Sequence, residues 1–128
     1  MKIKFSTVFL SASLLVGAAT ASAQTPDSTR TAESRAKTLT DKMKTELTLT
    51  DEQYPKVQAI NLKYAEKNQA LFQGTGGRFA KLRSLKSSQK DKSKEMKAVL
   101  TSDQYKKYEQ MMEEMKDKAR EQYKSRGQ

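Results

Sequence analysis

The chain is 128 residues long with a formal net charge of +10, and it contains no cysteine, histidine or tryptophan and only two prolines. Those absences exclude a disulfide scaffold, a cysteine nucleophile, a histidine-centred triad and a Cys/His zinc site.

In chain order, Met1-Lys2-Ile3-Lys4 is a short basic opening, followed by the apolar run from Phe5 to Ala19 and then by Ala21-Ser22-Ala23. That pattern predicts a secretory signal peptide over residues 1–23, cleaved before Gln24. The run falls short of the roughly 20 apolar residues that a spanning helix needs. Cleavage leaves 105 residues at +8, with no cysteine to carry a lipid and no second apolar segment to anchor the chain. The expected product is soluble and exported, most simply to a bacterial periplasm. Export weighs against nucleic acid as the partner of this basic chain and in favour of an anionic surface or a polypeptide.

Leu, Ile, Val and Phe supply only 13 of those 105 residues, a level at which disorder competes with folding. Five Met and five Tyr add apolar area, and Met adapts to irregular contacts. Periodicity therefore has to decide. Residues 24–28 are polar with Pro26 and read as a flexible spacer, and a helical domain is expected over 29–124. Ala32, Ala36, Leu39, Met43 and Leu47 recur every three or four residues, predicting a first helix from about Thr29 to Glu46.

Leu49-Thr50-Asp51-Glu52-Gln53-Tyr54 follows, and Leu100-Thr101-Ser102-Asp103-Gln104-Tyr105 repeats it 51 residues later. In each copy the threonine hydroxyl is placed to accept a first-turn N–H, while the glutamine three residues on reaches back to the threonine N–H. This is a capping box. Leu49 with Tyr54, and Leu100 with Tyr105, have the spacing of a hydrophobic staple. Asp51, Glu52 and Asp103 sit where the helix dipole favours negative charge.

The second helix is expected from Thr50 to about Phe72, with Tyr54, Val57, Ile60, Tyr64 and Leu71 along one side and Asn68 interrupting it. Pro55 lacks an N–H and disfavours helical geometry at Tyr54, which predicts either a bent first turn or a later start. Gly74-Thr75-Gly76-Gly77 lacks the spacing and preceding strand of a phosphate loop and reads as a reversal between helices. A third segment starts near Arg78 with Phe79, Leu82 and Leu85, then passes through nine polar residues from Ser87 to Glu95. Its middle is expected to be weakly packed, either as a continuous exposed helix or bent around 87–93. The fourth helix, from Thr101, carries Tyr105, Tyr108, Met111, Met112, Met115, Ala119 and Tyr123 at packing spacing. Residues 125–128 are expected to fray. Methionines at that spacing, without His or Cys, read as a seam rather than a copper site.

Charge is local. Residues 24–77 carry +1, 78–97 carry +6 and 98–128 carry +1. Arg78, Lys81, Arg83, Lys86, Lys90, Lys92, Lys94 and Lys97 supply the excess, and any single one reads first as a solvated surface residue. As a group beside Phe72 and Phe79, they form the candidate surface for binding unfolded clients: a positive field captures negative partners, and apolar groups hold them. No spacing assembles a catalytic pocket, and no cofactor or metal site is expected.

The paired Leu49-Thr50-x-x-Gln53 and Leu100-Thr101-x-x-Gln104 motifs, the signal peptide, the small size and the basic helical chain resemble the periplasmic LTxxQ family that includes Spy and CpxP, over residues 29–124. The resemblance implies an all-α, elongated, bent four-helix antiparallel arrangement forming a cradle-shaped homodimer. It implies an ATP-independent chaperone that holds unfolded or partly folded envelope proteins and lets them refold. The alternatives are an envelope-stress adaptor that binds a sensor domain, or a structural envelope-binding helical protein. The motif residues carry over as structural caps only.

Overall fold

The computed structural model describes residues 30–127; the expected signal peptide, the spacer 24–28 and Gln128 lie outside the described residues. Four helices follow in order, α1 (Ala32–Leu47), α2 (Gln53–Gln73), α3 (Arg78–Val99) and α4 (Ser102–Arg126), with no strand among the described residues. The chain is all-α.

The Thr31 hydroxyl caps α1 by accepting from the Ser34 N–H at 3.2 Å. At its other end Thr48 takes the left-handed conformation, φ 53° and ψ 55°, and the Leu49 N–H bonds back to the Lys44 carbonyl at 3.3 Å. This is a Schellman-type stop built on threonine rather than glycine. Pro55 produces the later start: α2 begins at Gln53, three residues past its capping threonine, whereas α4 begins immediately after Thr101. Pro55 has no N–H for the Asp51 carbonyl, so the first turn closes through the Gln53 and Tyr54 N–H groups onto the Thr50 carbonyl.

α1 and α2 pack antiparallel, with Arg35 bonded to Gln69 and Asn61 to Thr40 across the seam. α2 and α3 do the same, through Lys63 and Tyr64 to Glu95 at one level and Ser88 to Asn68 further along. The apolar core gathers where the two motifs meet, from Met43 and Leu47 of α1, Leu49, Val57, Ile60 and Tyr64 beside them, and Met96, Leu100, Tyr108 and Met111 of the second half. No helix among the described residues is long and apolar enough to cross a membrane.

The choice left open for α3 is resolved, and two expectations need correction, the weak packing of its middle and the packing of the α4 stripe. α3 is one continuous helix through residues 87–93, and its polar run is not weakly packed: Ser88 and Lys92 are buried beside Met96 on the face turned to α2. Small or flexible polar side chains fill that seam because α2 meets them with polar groups of its own, Asn68 among them. Asn61 and Thr40 are likewise buried core members, where the periodicity of apolar residues passes over them. The α4 stripe packs only in its first half, since every residue from Glu113 to Gly127 is exposed, Met115, Ala119 and Tyr123 included. α4 runs to Arg126.

Candidate functional site

The two capping motifs are joined to each other. Gln53 Oε1 accepts from the Thr50 N–H at 3.0 Å, and the Gln53 N–H donates to the Thr50 hydroxyl at 3.2 Å. Thr101 and Gln104 repeat the pair at 3.0 and 3.3 Å. The two glutamine amides then face each other, Gln53 Nε2 donating to Gln104 Oε1 at 2.8 Å and Gln104 Nε2 to Gln53 Oε1 at 3.0 Å.

Each amide also crosses to the helix end of the other half. Gln53 Nε2 donates to the Val99 carbonyl at 3.1 Å, and Gln104 Nε2 to the Leu47 carbonyl at 3.2 Å. Every oxygen in the network meets donors and every nitrogen meets acceptors, so only one orientation of each amide satisfies it. The result is a clasp that caps two helix starts and two helix ends with two side chains. Leu49 and Leu100 are buried beneath it. Tyr54 leans on α1, its hydroxyl donating to Asp41 Oδ1 at 2.7 Å, while Tyr105 packs on the core. The repeat spacing of 51 residues was the only sequence signal that these two motifs could meet.

Beyond the clasp, α3 and α4 stand apart over an open groove of about 1170 Å³. Leu82 and Leu85 of α3 and Tyr108, Met112 and Met115 of α4 supply its apolar lining. Arg83, Lys86 and Lys90 make the α3 wall basic, whereas the α4 wall carries Glu109, Glu113 and Lys116, the last two paired at 3.3 Å. Sequence reading takes the methionines for a closed seam; the structure leaves Met112 half-buried and Met115 exposed beside the groove.

The expected client-contact residues divide among four places. Phe72, Arg78, Phe79 and Lys81 flank the α2–α3 turn, where Lys81 Nζ donates to the Phe72 carbonyl at 3.2 Å. Arg83, Lys86 and Lys90 line the groove. Lys94 and Lys97 are exposed nearer the clasp, and Lys97 lies 5.7 Å from the Tyr105 ring centre. Lys92 leaves the set, because it is 7% exposed and packed in the α2–α3 seam. Its burial, with no carboxylate at ion-pair distance, pulls the ammonium down to about 8.

The other large shifts are structural as well. Burial and then the Glu95 carboxylate, 2.8 Å from its hydroxyl, push the Tyr64 phenol up to about 12. Burial likewise pushes Tyr108 up to about 12. Lys63, at 2.6 Å, holds the half-buried Glu95 carboxyl below its usual range, with Tyr64 adding to the effect. Among the described residues no three acidic side chains converge as a metal site would require.

The described residues define an all-α protein whose two helical hairpins are clasped through paired capping motifs and whose last two helices flank an open, mixed apolar and basic groove. The chain belongs to the family described as Domain of unknown function (DUF4890), whose profile matches residues 19–108, ending at Tyr108 within α4. No curated protein and no solved structure matches the chain.

Proposed function

We propose that the protein is an ATP-independent periplasmic chaperone of the LTxxQ, Spy/CpxP-like type, exported by residues 1–23 and working as a cradle-shaped homodimer. It binds unfolded or partly folded proteins, suppresses their aggregation and permits refolding. The observation that carries this reading is the α3–α4 groove, where Leu82, Met112 and Met115 lie within reach of Arg83, Lys86 and Lys90. Long-range attraction from the basic wall brings an acidic client in, and methionine and leucine side chains adapt to whatever apolar segment arrives. Open on one side, such a surface holds many sequences weakly rather than one tightly.

The test is aggregation and refolding of several unfolded clients with purified protein and no ATP. Suppressed aggregation with recovered client activity supports the chaperone. Leu82→Ser with Met115→Ser, both at exposed positions, is expected to weaken client binding about tenfold, from the apolar area each side chain buries on contact. Failure with acidic and neutral clients alike sinks the proposal, and tight binding to a single sensor domain under the same conditions establishes the adaptor role in its place.

A further inference from the structure

Phe72 and Phe79 at the α2–α3 turn lie outside the groove that client holding uses, next to Leu82, Arg83 and Lys86, which line it. Residues 72–80 are all exposed, so neither α1 nor α4 covers this end of the hairpin. Phe79 is 87% exposed, Phe72 62% and Leu82 54%, three large apolar side chains on the two helices that meet at the turn. From Lys67 to Lys90 the chain has six basic residues and no acidic one. α1 approaches the same end through the Arg35 bond to Gln69, and it brings Arg30 and Arg35 along with the single acid Glu33. Lys81 fixes the turn by donating to the Phe72 carbonyl, and the start of α3 at Gly77 has no side-chain cap, which leaves its positive dipole end unopposed.

Exposed aromatic and leucine side chains at the end of a helical hairpin fit between lipid headgroups. A surrounding ring of Arg and Lys matches anionic headgroups and reaches them by snorkelling. We propose that the α2–α3 turn is a membrane-docking tip: Phe72, Phe79 and Leu82 enter the interface of a bilayer containing anionic phospholipid, while Arg78, Arg83 and Lys86 pair with its phosphates. The contact is peripheral and reversible. It shares Leu82, Arg83 and Lys86 with the proposed client groove and is told apart from that reading because it is measured with lipid alone.

The chain has no tryptophan, so Phe79→Trp makes the tip its only indole fluorophore, and Gln110→Trp on the exposed face of the clasp-side half of α4 serves as the reference. Protein expressed from the full-length sequence is titrated with vesicles of phosphatidylethanolamine and phosphatidylglycerol, and separately with phosphatidylcholine alone. The expected result is a blue shift and quenching by brominated acyl chains at position 79 but not at position 110, in anionic vesicles only and weakened by salt. Arg78→Gln with Arg83→Gln, both exposed, should lower partitioning about 25-fold, at roughly fivefold per basic residue near the surface. Because the reporter is read at the tip, insertion of any other segment does not mimic the signal. No shift at position 79, an equal shift in phosphatidylcholine, or an equal shift with soluble polyglutamate overturns the proposal, the last by assigning the tip to acidic polypeptides.

Discussion

The two ends of the central α2–α3 pair are built on opposite terms. At the clasp end, two glutamines satisfy backbone groups from four helix termini while leucines and methionines close beneath them. At the turn end, every residue from Phe72 to Ala80 is exposed, and the large apolar side chains of Phe72 and Phe79 face solvent. In a chain with so few aliphatic residues, this contrast implies that cohesion is concentrated rather than spread. The apolar residues that the core leaves out line the groove and the turn, where contact with another molecule is the remaining way to bury them. The molecule is therefore expected to open at the turn end first and at the clasp last, and substitutions at the clasp should outweigh equal ones elsewhere.

The largest expected effect breaks the clasp itself. Gln104→Ala removes the bond to the Thr101 N–H, both contacts with Gln53 and the donor to the Leu47 carbonyl, and it leaves partners unsatisfied in a part-buried site. At about 1 kcal/mol per net bond, with a further penalty for orphaned groups, the loss should be about 2–4 kcal/mol. Urea unfolding measures it. A double-mutant cycle with Gln53→Ala should show a coupling of about 1 kcal/mol or more, because the second removal finds its partner already gone. Additive losses would mean that the motifs act as separate caps, and the contrast between the two ends would lose its basis.

The next effect tests whether the α2–α3 seam, lying between those ends, carries a stored cost. Burial lowers the Lys92 pKa to about 8 from an ordinary 10.5. The unfolded chain therefore holds this proton more tightly than the folded one. Below pH 8 the full penalty is present, and stability rises as pH climbs from about 8 towards 10.5. Lys92→Met keeps the buried stem and removes the charge, so it is expected to stabilise by about 1–3 kcal/mol at pH 7, with the gain fading near pH 10. The phenols run the other way: Tyr64 and Tyr108, raised to about 12, ionise first in the unfolded chain, so both proteins lose stability above pH 10. Thermal melts of the two proteins across this range separate the contributions. A variant less stable at pH 7 would show that the ammonium is solvated in the fold and costs nothing there.

What the sequence makes legible follows the range of the interaction. Thr50, Gln53, Thr101 and Gln104 announce themselves because a capping box is local, complete within four residues and tied to particular side-chain chemistry. The existence of four helices is equally local, since apolar spacing marks each one. The amide pair between Gln53 and Gln104 is not legible, because nothing in either motif specifies what lies across from it. Ser88 and Lys92 mislead for a related reason. A polar run reads as solvated unless the facing helix presents polar groups of its own, and whether α2 places Asn68 opposite Ser88 depends on register. Met115 and Tyr123 mislead in the reverse direction, because helical spacing says which side chains share a face but not whether another helix covers it. The groove arises from that omission, as α4 leaves α3 beyond Met112.

The smallest expected effect sharpens the comparison at the clasp. Thr48 is the one residue other than glycine with positive φ among the described residues, and for a β-branched side chain the left-handed region is strained by about 1 kcal/mol. The strain is held in place by its surroundings. Its own N–H and that of Leu49 both return to the Lys44 carbonyl, while Gln104 Nε2 grips the Leu47 carbonyl and approaches that of Thr48 at 3.4 Å. None of these bonds involves the threonine side chain, which is exposed. Thr48→Gly should therefore relieve the strain with every backbone bond kept, and the added freedom of glycine in the unfolded chain offsets part of the gain. The expected result is a stabilisation of about 0.5–1 kcal/mol, read as a rise in the urea midpoint at unchanged slope. In the Gln104→Ala background the same substitution should stabilise less, because the turn, freed of the amide that holds it strained, relaxes without the glycine. An equal gain in both backgrounds would show that the α1 stop is set by its own leucine and lysine bonds, with the clasp merely resting on it.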